Sequence, residues 1–174
     1  MNYINLDLEF SDFIKPCLNL KEIKFPKISA HDWIWVNTVD WITEFGLEWF
    51  KNKNIPIKSR AFLFVATPNC PGITHTDLPE RAAFNFIIQG NGSMQWLSNL
   101  PDPTSVRVHN GSTYPVYGNT KSCIIDDEWT GRIGLVKVDT PHRVVTTDSY
   151  RYCLSLRTTY SFEEVAKIIQ SSHH

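Results

Sequence analysis

No Cys-x-x-Cys pair occurs in these 174 residues, and the four cysteines, Cys17, Cys70, Cys123 and Cys153, stand far apart. That spacing argues against a structural zinc site, and a disulfide framework fits poorly with a chain that opens without an export signal. Free, mostly buried thiols are expected. Long apolar runs are also missing, since none approaches the roughly 20 residues needed to span a bilayer. Charge of one sign is not in excess. The formal net charge is -1 and no lysine-rich block exists, so an electrostatic grip on a nucleic-acid backbone is not expected, although a nucleotide substrate remains open. The opening Met1-Asn2-Tyr3-Ile4-Asn5-Leu6-Asp7 has neither a basic stretch nor an apolar core, so it does not read as a secretion signal. Internal repeats and inter-domain linkers are absent as well.

With 42% apolar and 20% charged residues, what remains has the composition of an ordinary globular chain. The length suits one domain spanning residues 1–174 with a single buried core. A soluble, cytoplasmic protein is expected. Three parts are distinguished: an N-terminal flank (1–58), a β-rich core (59–158) and a C-terminal helix with its tail (159–174).

In the flank, Trp33-Ile34-Trp35-Val36 reads as a short buried strand, and His31 just before it as a solvated or capping side chain without a metal-ligating neighbour. From Thr38, the recurrence of Val39, Ile42, Phe45 and Trp49 predicts one amphipathic helix capped by Thr38 and stopped over residues 52–56. Its aromatic face is expected to pack on the outside of a sheet. Beyond Lys58 come short apolar or alternating runs broken by turn residues: 60–66, 83–89, 93–97, 121–125, 134–138, 143–147 and 150–157. The second and third flank Gly90-Asn91-Gly92 and read as a hairpin. This spacing predicts a mainly β sandwich or jelly roll. Residues 99–119, rich in Pro, Asn, Ser and Gly, read as a long loop at the mouth, with His109 on the surface. Ser161-Phe162-Glu163-Glu164 fits a capping box ahead of a short C-terminal helix. His173 and His174 are assigned no function.

The chemistry centres on Pro71-Gly72-Ile73-Thr74-His75-Thr76-Asp77, answered downstream by Pro141-His142-Arg143 and Arg151-Tyr152-Cys153-Leu154-Ser155-Leu156-Arg157. On an extended segment, residues two apart point to one face about 7 Å from each other, so His75 and Asp77 can converge on one ion. Two imidazoles and a carboxylate form the set that holds non-haem Fe(II) on one face of its octahedron. His-Thr-Asp alone is unspecific, and Asp77 could simply begin a turn at Leu78-Pro79. If residues 150–157 form a strand, Arg151, Cys153, Ser155 and Arg157 share one face, while Tyr152, Leu154 and Leu156 share an apolar one. A barrel interior would not bury two guanidinium groups without an anionic partner, and a dicarboxylate would supply one. The competing reading leaves that face to solvent.

The ordered set His75-x-Asp77, His142 and Arg151 resembles the Fe(II)- and 2-oxoglutarate-dependent oxygenases. The segment from His142 through Ser155 is similar to the end of the prolyl-hydroxylase-like branch. Arg81-Ala82-Ala83-Phe84-Asn85-Phe86-Ile87-Ile88 is similar to the compact aspartyl/asparaginyl-hydroxylase-like members. The likeness covers about residues 60–158. It implies a double-stranded β-helix (jelly roll, cupin-like) with flanking helices, and His75, Asp77 and His142 as iron ligands. Arg151 would bind the distal carboxylate of 2-oxoglutarate, with Ser155 as a helper. Arg81 and Arg157 would assist the co-substrate or bind an acidic substrate group, and Asn85 and Trp96 would line the pocket or pack in the core. The implied activity is a dioxygenase that uses dioxygen to hydroxylate an aliphatic C–H bond of an amino acid, peptidyl residue or other small substrate, releasing succinate and CO2. A carboxylate at Asp77 leaves no position for halide, which favours hydroxylation or desaturation over halogenation. Two alternatives stay open: a cupin-like metal enzyme that does not use 2-oxoglutarate, and a non-catalytic jelly-roll ligand-binding module.

Overall fold

The computed structural model describes residues 1–16, 20–109, 112–118 and 120–171. Its strands are β1 (Tyr3–Asn5), β2 (His31–Asn37), β3 (Arg60–Ala66), β4 (Thr74–His75), β5 (Ala82–Gln89), β6 (Gly92–Ser98), β7 (Ser105–His109), β8 (Ser112–Tyr117), β9 (Ile124–Trp129), β10 (Ile133–Lys137), β11 (His142–Thr146) and β12 (Arg151–Arg157). The helices are α1 (Phe10–Phe13), α2 (Thr38–Trp41), α3 (Glu44–Asn52) and α4 (Phe162–Ser171). The strands form two six-stranded sheets, ordered β1-β10-β5-β12-β3-β2 and β7-β8-β4-β11-β6-β9, with antiparallel pairing throughout. Within them β10-β5-β12-β3 and β4-β11-β6-β9 are the two halves of a jelly roll, and the chain passes repeatedly from one half to the other. Among the described residues no helix is long and apolar enough to cross a membrane.

The near-continuous apolar run of β5 follows from burial on both of its faces. Ala82, Phe84 and Phe86 point outward into a cluster with Leu154, Leu156, Ile133 and Leu135, covered by Phe13, Phe50 and the α4 residues Phe162, Val165 and Ile169. Ala83 and Ile87 point inward, where Met94, Trp96, Trp129, Val136 and Cys153 fill one end of the sandwich. Both buried indoles find acceptors: Trp96 Nε1 donates to the Lys137 carbonyl and Trp129 Nε1 to Asn5 Oδ1, each at 2.8 Å. Trp96 is therefore a core residue, and Asn85 is the one of the pair that lines the cavity. The capping box at α4 is present: Ser161 N–H donates to Glu164 Oε2 at 2.7 Å, and Glu164 N–H donates to Ser161 Oγ at 3.3 Å.

Four expectations require correction. Residues 83–89 and 93–97 do not form a hairpin, because β5 and β6 lie in opposite sheets. Gly90 instead turns the chain between layers at φ +84°, so close to β12 that an added Cβ would stand 1.9 Å from the Tyr150 carbonyl oxygen. Within the stretch 99–119 read as a loop, Ser105–His109 and Ser112–Tyr117 are strands, which pair with each other while β8 continues onto β4. The single helix from Thr38 is two helices. Buried Ile42 straightens the chain to bridge Ile14, and Thr43 restarts the helix by accepting the Gly46 N–H at 3.0 Å. Phe50 rather than Phe45 or Val39 is buried, and those two are exposed by 54% and 59%. Finally, β2 is half-buried rather than buried, because it forms the edge of its sheet.

Among the described cysteines, Cys70, Cys123 and Cys153 are free, the first and last of them buried. Cys17, His173 and His174 lie outside the described residues, as does the His109 side chain.

Candidate metal centre

Sheet register brings the two imidazoles together. His75 on β4 pairs directly with His142 on β11, and directly opposed residues share a face at close range. Their ring centroids are 4.5 Å apart. Asp77 lies just past β4, where its own N–H donates to the Val138 carbonyl at 2.9 Å and the flanking N–H groups bond the β7–β8 hairpin. One ligating atom from each of His75, Asp77 and His142 lies within 4.8 Å of the others. These are the residues that would hold a single ion.

Hydrogen bonding assigns the donor atoms. His75 Nδ1 bonds the Ile73 carbonyl and His142 Nδ1 the Thr140 carbonyl, each at 2.8 Å. A carbonyl only accepts, so both Nδ1 atoms carry a proton, and in the neutral imidazoles Nε2 is the lone-pair atom left for a metal, as in metal-ligating histidines. Asp77 Oδ2 accepts from Arg157 Nη2 at 2.8 Å. Oδ1 is buried without a hydrogen-bond donor, although it faces His75 Nε2 at 3.3 Å. When both imidazoles are neutral, the two Nε2 atoms and the carboxylate oxygen suit a divalent cation of imidazole–carboxylate preference. With Oδ2 held by Arg157, Asp77 offers one oxygen to such an ion.

Electrostatics separates the three groups. Burial opposes the Asp77 charge, but Arg157 and the histidines outweigh it and hold the carboxyl well below its usual range. Burial likewise opposes protonation of His75, yet Asp77 overrides it and raises this imidazole. Burial and then the His75 charge push His142 down to about 4. Stability as a function of pH follows from these signs. A histidine depressed in the folded chain contributes its full share above the unfolded value of 6.5 and loses it as pH falls toward 4. His75, being raised, contributes in the opposite sense: its share is present below the unfolded value and is lost as pH rises through its folded one. The metal-free H142Q variant should therefore show a flatter urea-midpoint profile between pH 6.5 and 4 than the parent chain.

The triad opens into a cavity of about 350 Å³, at the small end of ligand pockets. Arg151, Cys153, Ser155 and Arg157 all line it from alternate positions of β12, so the polar face of that strand points inward and not to solvent. Arg151 is only 4% exposed and has no acidic partner among the described residues, and its Nε lacks any acceptor. Arg157 Nε and Nη1 are likewise buried without acceptors, and its guanidinium lies over the Phe62 ring at 5.2 Å. The structure does not bring Arg81 to the cavity. That residue is exposed just before β5, where its charge acts on Asp139, Glu163 and Glu164. His31, expected to be solvated, instead lines the cavity, where burial and then the nearby His75 and Arg107 charges lower its pKa. Arg107 and Tyr114, from the segment read as a loop, also line it. Their period-two placement opposite each other becomes recognisable only once the hairpin register is known.

No protein-family model matches this sequence. No curated protein matches it either. Among solved structures, the chain is similar to a mutant of Bacillus subtilis oxalate decarboxylase at 14% identity and a TM-score of 0.40, covering 80% of this chain and 29% of that one. Oxalate decarboxylase from Bacillus subtilis at pH 4.6 matches at 13% identity and a TM-score of 0.40, covering 79% and 28%. Vicilin from Corylus avellana (hazelnut) matches at 8% identity and a TM-score of 0.41, covering 81% and 33%. The chain thus spans about a third or less of the length of these proteins, and what its site does rests on the residues described above.

Proposed function

We propose that this chain is an Fe(II)- and 2-oxoglutarate-dependent oxygenase that hydroxylates an aliphatic C–H bond of an amino acid, peptidyl residue or other small substrate, releasing succinate and CO2. The observation that supports it most directly is the meeting, in one cavity, of a His-Asp-His donor set with a buried arginine that lacks an acidic partner. A buried cation without a counter-charge is costly, and a bound dicarboxylate would offset that cost through a charge-assisted, bidentate pair. His75, Asp77 and His142 would hold the iron. Arg151 would hold the distal carboxylate, with the Ser155 hydroxyl two positions further along the same inward face of β12. Arg157 fixes Asp77 through Oδ2 and keeps Nε and Nη1 available to an anion in the cavity. Phe64, Val65, Val138 and Val144 line the wall with apolar surface that excludes water from around these charges. When bound, Fe(II) with the keto acid supplies the activation of dioxygen that C–H oxidation requires.

Anaerobic Fe(II) titration with and without 2-oxoglutarate tests this reading through the weak visible charge-transfer band of the chelate. The band should form with both present and vanish in His75→Ala. Arg151→Ala should retain iron but raise the 2-oxoglutarate requirement about 30-fold or more, the cost of removing one partner of a buried charge pair. Iron binding without the band would favour a metal enzyme that does not use 2-oxoglutarate. No metal binding at all would favour a ligand-binding module.

A further inference from the structure

Both sheets are extended beyond the jelly-roll core on the same side, by β2 next to β3 and by β7–β8 next to β4. These additions supply His31, Trp33, Arg107 and Tyr114 to the cavity wall. Arg107 pairs directly with Tyr114 across the hairpin, so the two share a face. The Tyr114 ring lies 6.5 Å from the His75 ring, which identifies that face as the cavity side. Arg107 is exposed yet lines the cavity, and so stands at its mouth, two strand spacings or about 10 Å from β4. It has no ion-pair or hydrogen-bond partner among the described residues, and its charge reaches His31 on the facing sheet, where it disfavours the protonated imidazole.

The charge balance of the wall is one-sided. Among the described lining residues there are three arginines (Arg107, Arg151 and Arg157) against a single carboxylate, Asp77. Asp77 is held by Arg157, and the function proposed above assigns a dicarboxylate to Arg151. Arg107 is left over, at the entrance of a cavity that Trp33 also lines.

We propose that the prime substrate carries a carboxylate, which Arg107 binds at the cavity mouth with His31 on the facing sheet. The rest of the molecule reaches past Trp33 and Tyr114 toward the His75–Asp77–His142 centre. The acid group thus sits several bonds from the reacting carbon, and a neutral analogue of the same shape loses its anchor. This assignment rests on the oxygenase reading for the occupancy of Arg151 but not for the chemistry of Arg107.

The test is equilibrium binding of hydrocinnamate and of its neutral amide, hydrocinnamide, followed through tryptophan fluorescence. The protein is kept anaerobic with Fe(II) and saturating 2-oxoglutarate, and 2-oxoglutarate itself is titrated separately. The acid should bind about tenfold tighter than the amide, the scale of one hydrogen-bonded charge. Arg107→Gln should abolish that preference and Arg107→Lys should keep it, both with unchanged 2-oxoglutarate affinity. Equal binding of acid and amide, absence of binding by either, or a preference that survives Arg107→Gln would each overturn the proposal. If 2-oxoglutarate binds nowhere while the Arg107-dependent preference persists, the oxygenase reading fails and the acid site stands.

Discussion

Replacing His142 with alanine should lower divalent-metal affinity by more than about 100-fold and leave no metal-dependent turnover, with His75→Ala behaving alike. Loss of a hydrogen-bonding partner behind a ligand already costs about 10- to 100-fold, and here one of three donors would go. The fold should survive, because the two rings face the cavity and the clusters packed around Phe84 and Trp96 do not include them. Inductively coupled plasma measurement of bound iron after dialysis, beside a circular dichroism melt, separates metal loss from unfolding. Retention of stoichiometric iron in both variants would exclude these histidines as ligands.

The second large effect concerns Arg157. It is buried against Asp77 at 2.8 Å, and both side chains are about 95% removed from solvent. Truncation to alanine leaves a carboxylate in the interior with its Oδ2 partner gone and its Oδ1 already orphaned. Breaking a buried pair in this way costs about 3–5 kcal/mol, a large part of the stability of a typical domain. Urea unfolding of Arg157→Ala in the presence of a chelator should show that loss. Added divalent metal should restore part of it, because an ion bound to the native chain alone stabilises by mass action. Arg157→Ala, Asp77→Ala together should lose less than Arg157→Ala alone, since no charge is then stranded. A loss below about 1 kcal/mol in the single variant would mean that the pair is not formed in solution.

Much of this arrangement was legible in the residue order. The run 60–66 coincides with β3, the capping residues Ser161 and Glu164 mark the start of α4, and alternation along residues 150–157 separates an apolar face from a polar one. The spacing of His75 and Asp77 and the later His142 anticipated their meeting, because strands constrain which side chains share a face. Other features had no local signal. Gly90-Asn91-Gly92 marks a reversal, but whether the strands on either side join one sheet depends on partners far away in sequence: β12 for β5, and β11 and β9 for β6. The β7–β8 hairpin carries Pro115, and the cavity-lining Arg107 stands between Val106 and Val108, which are both exposed, so its pattern runs against the usual hydrophobic-inward rule. The attachment of Arg157 to Asp77 joins residues eighty positions apart. Strand alternation indicated that Arg157 points inward but not which group it meets.

The passage of the chain from sheet to sheet at six of its eleven strand connections has a kinetic consequence. Few β-strands can pair with the strand that immediately follows them, so loop-closure entropy must be lost before most ladders form, and topologies dominated by such distant pairings fold in milliseconds to seconds rather than microseconds. His75 and His142 meet only when β4 docks on β11, a contact that requires most of the intervening chain to be in place. Capture of an ion by these residues would thus be a late event, and the rate at which refolding protein acquired metal would report closure of the whole roll rather than the formation of any one strand pair.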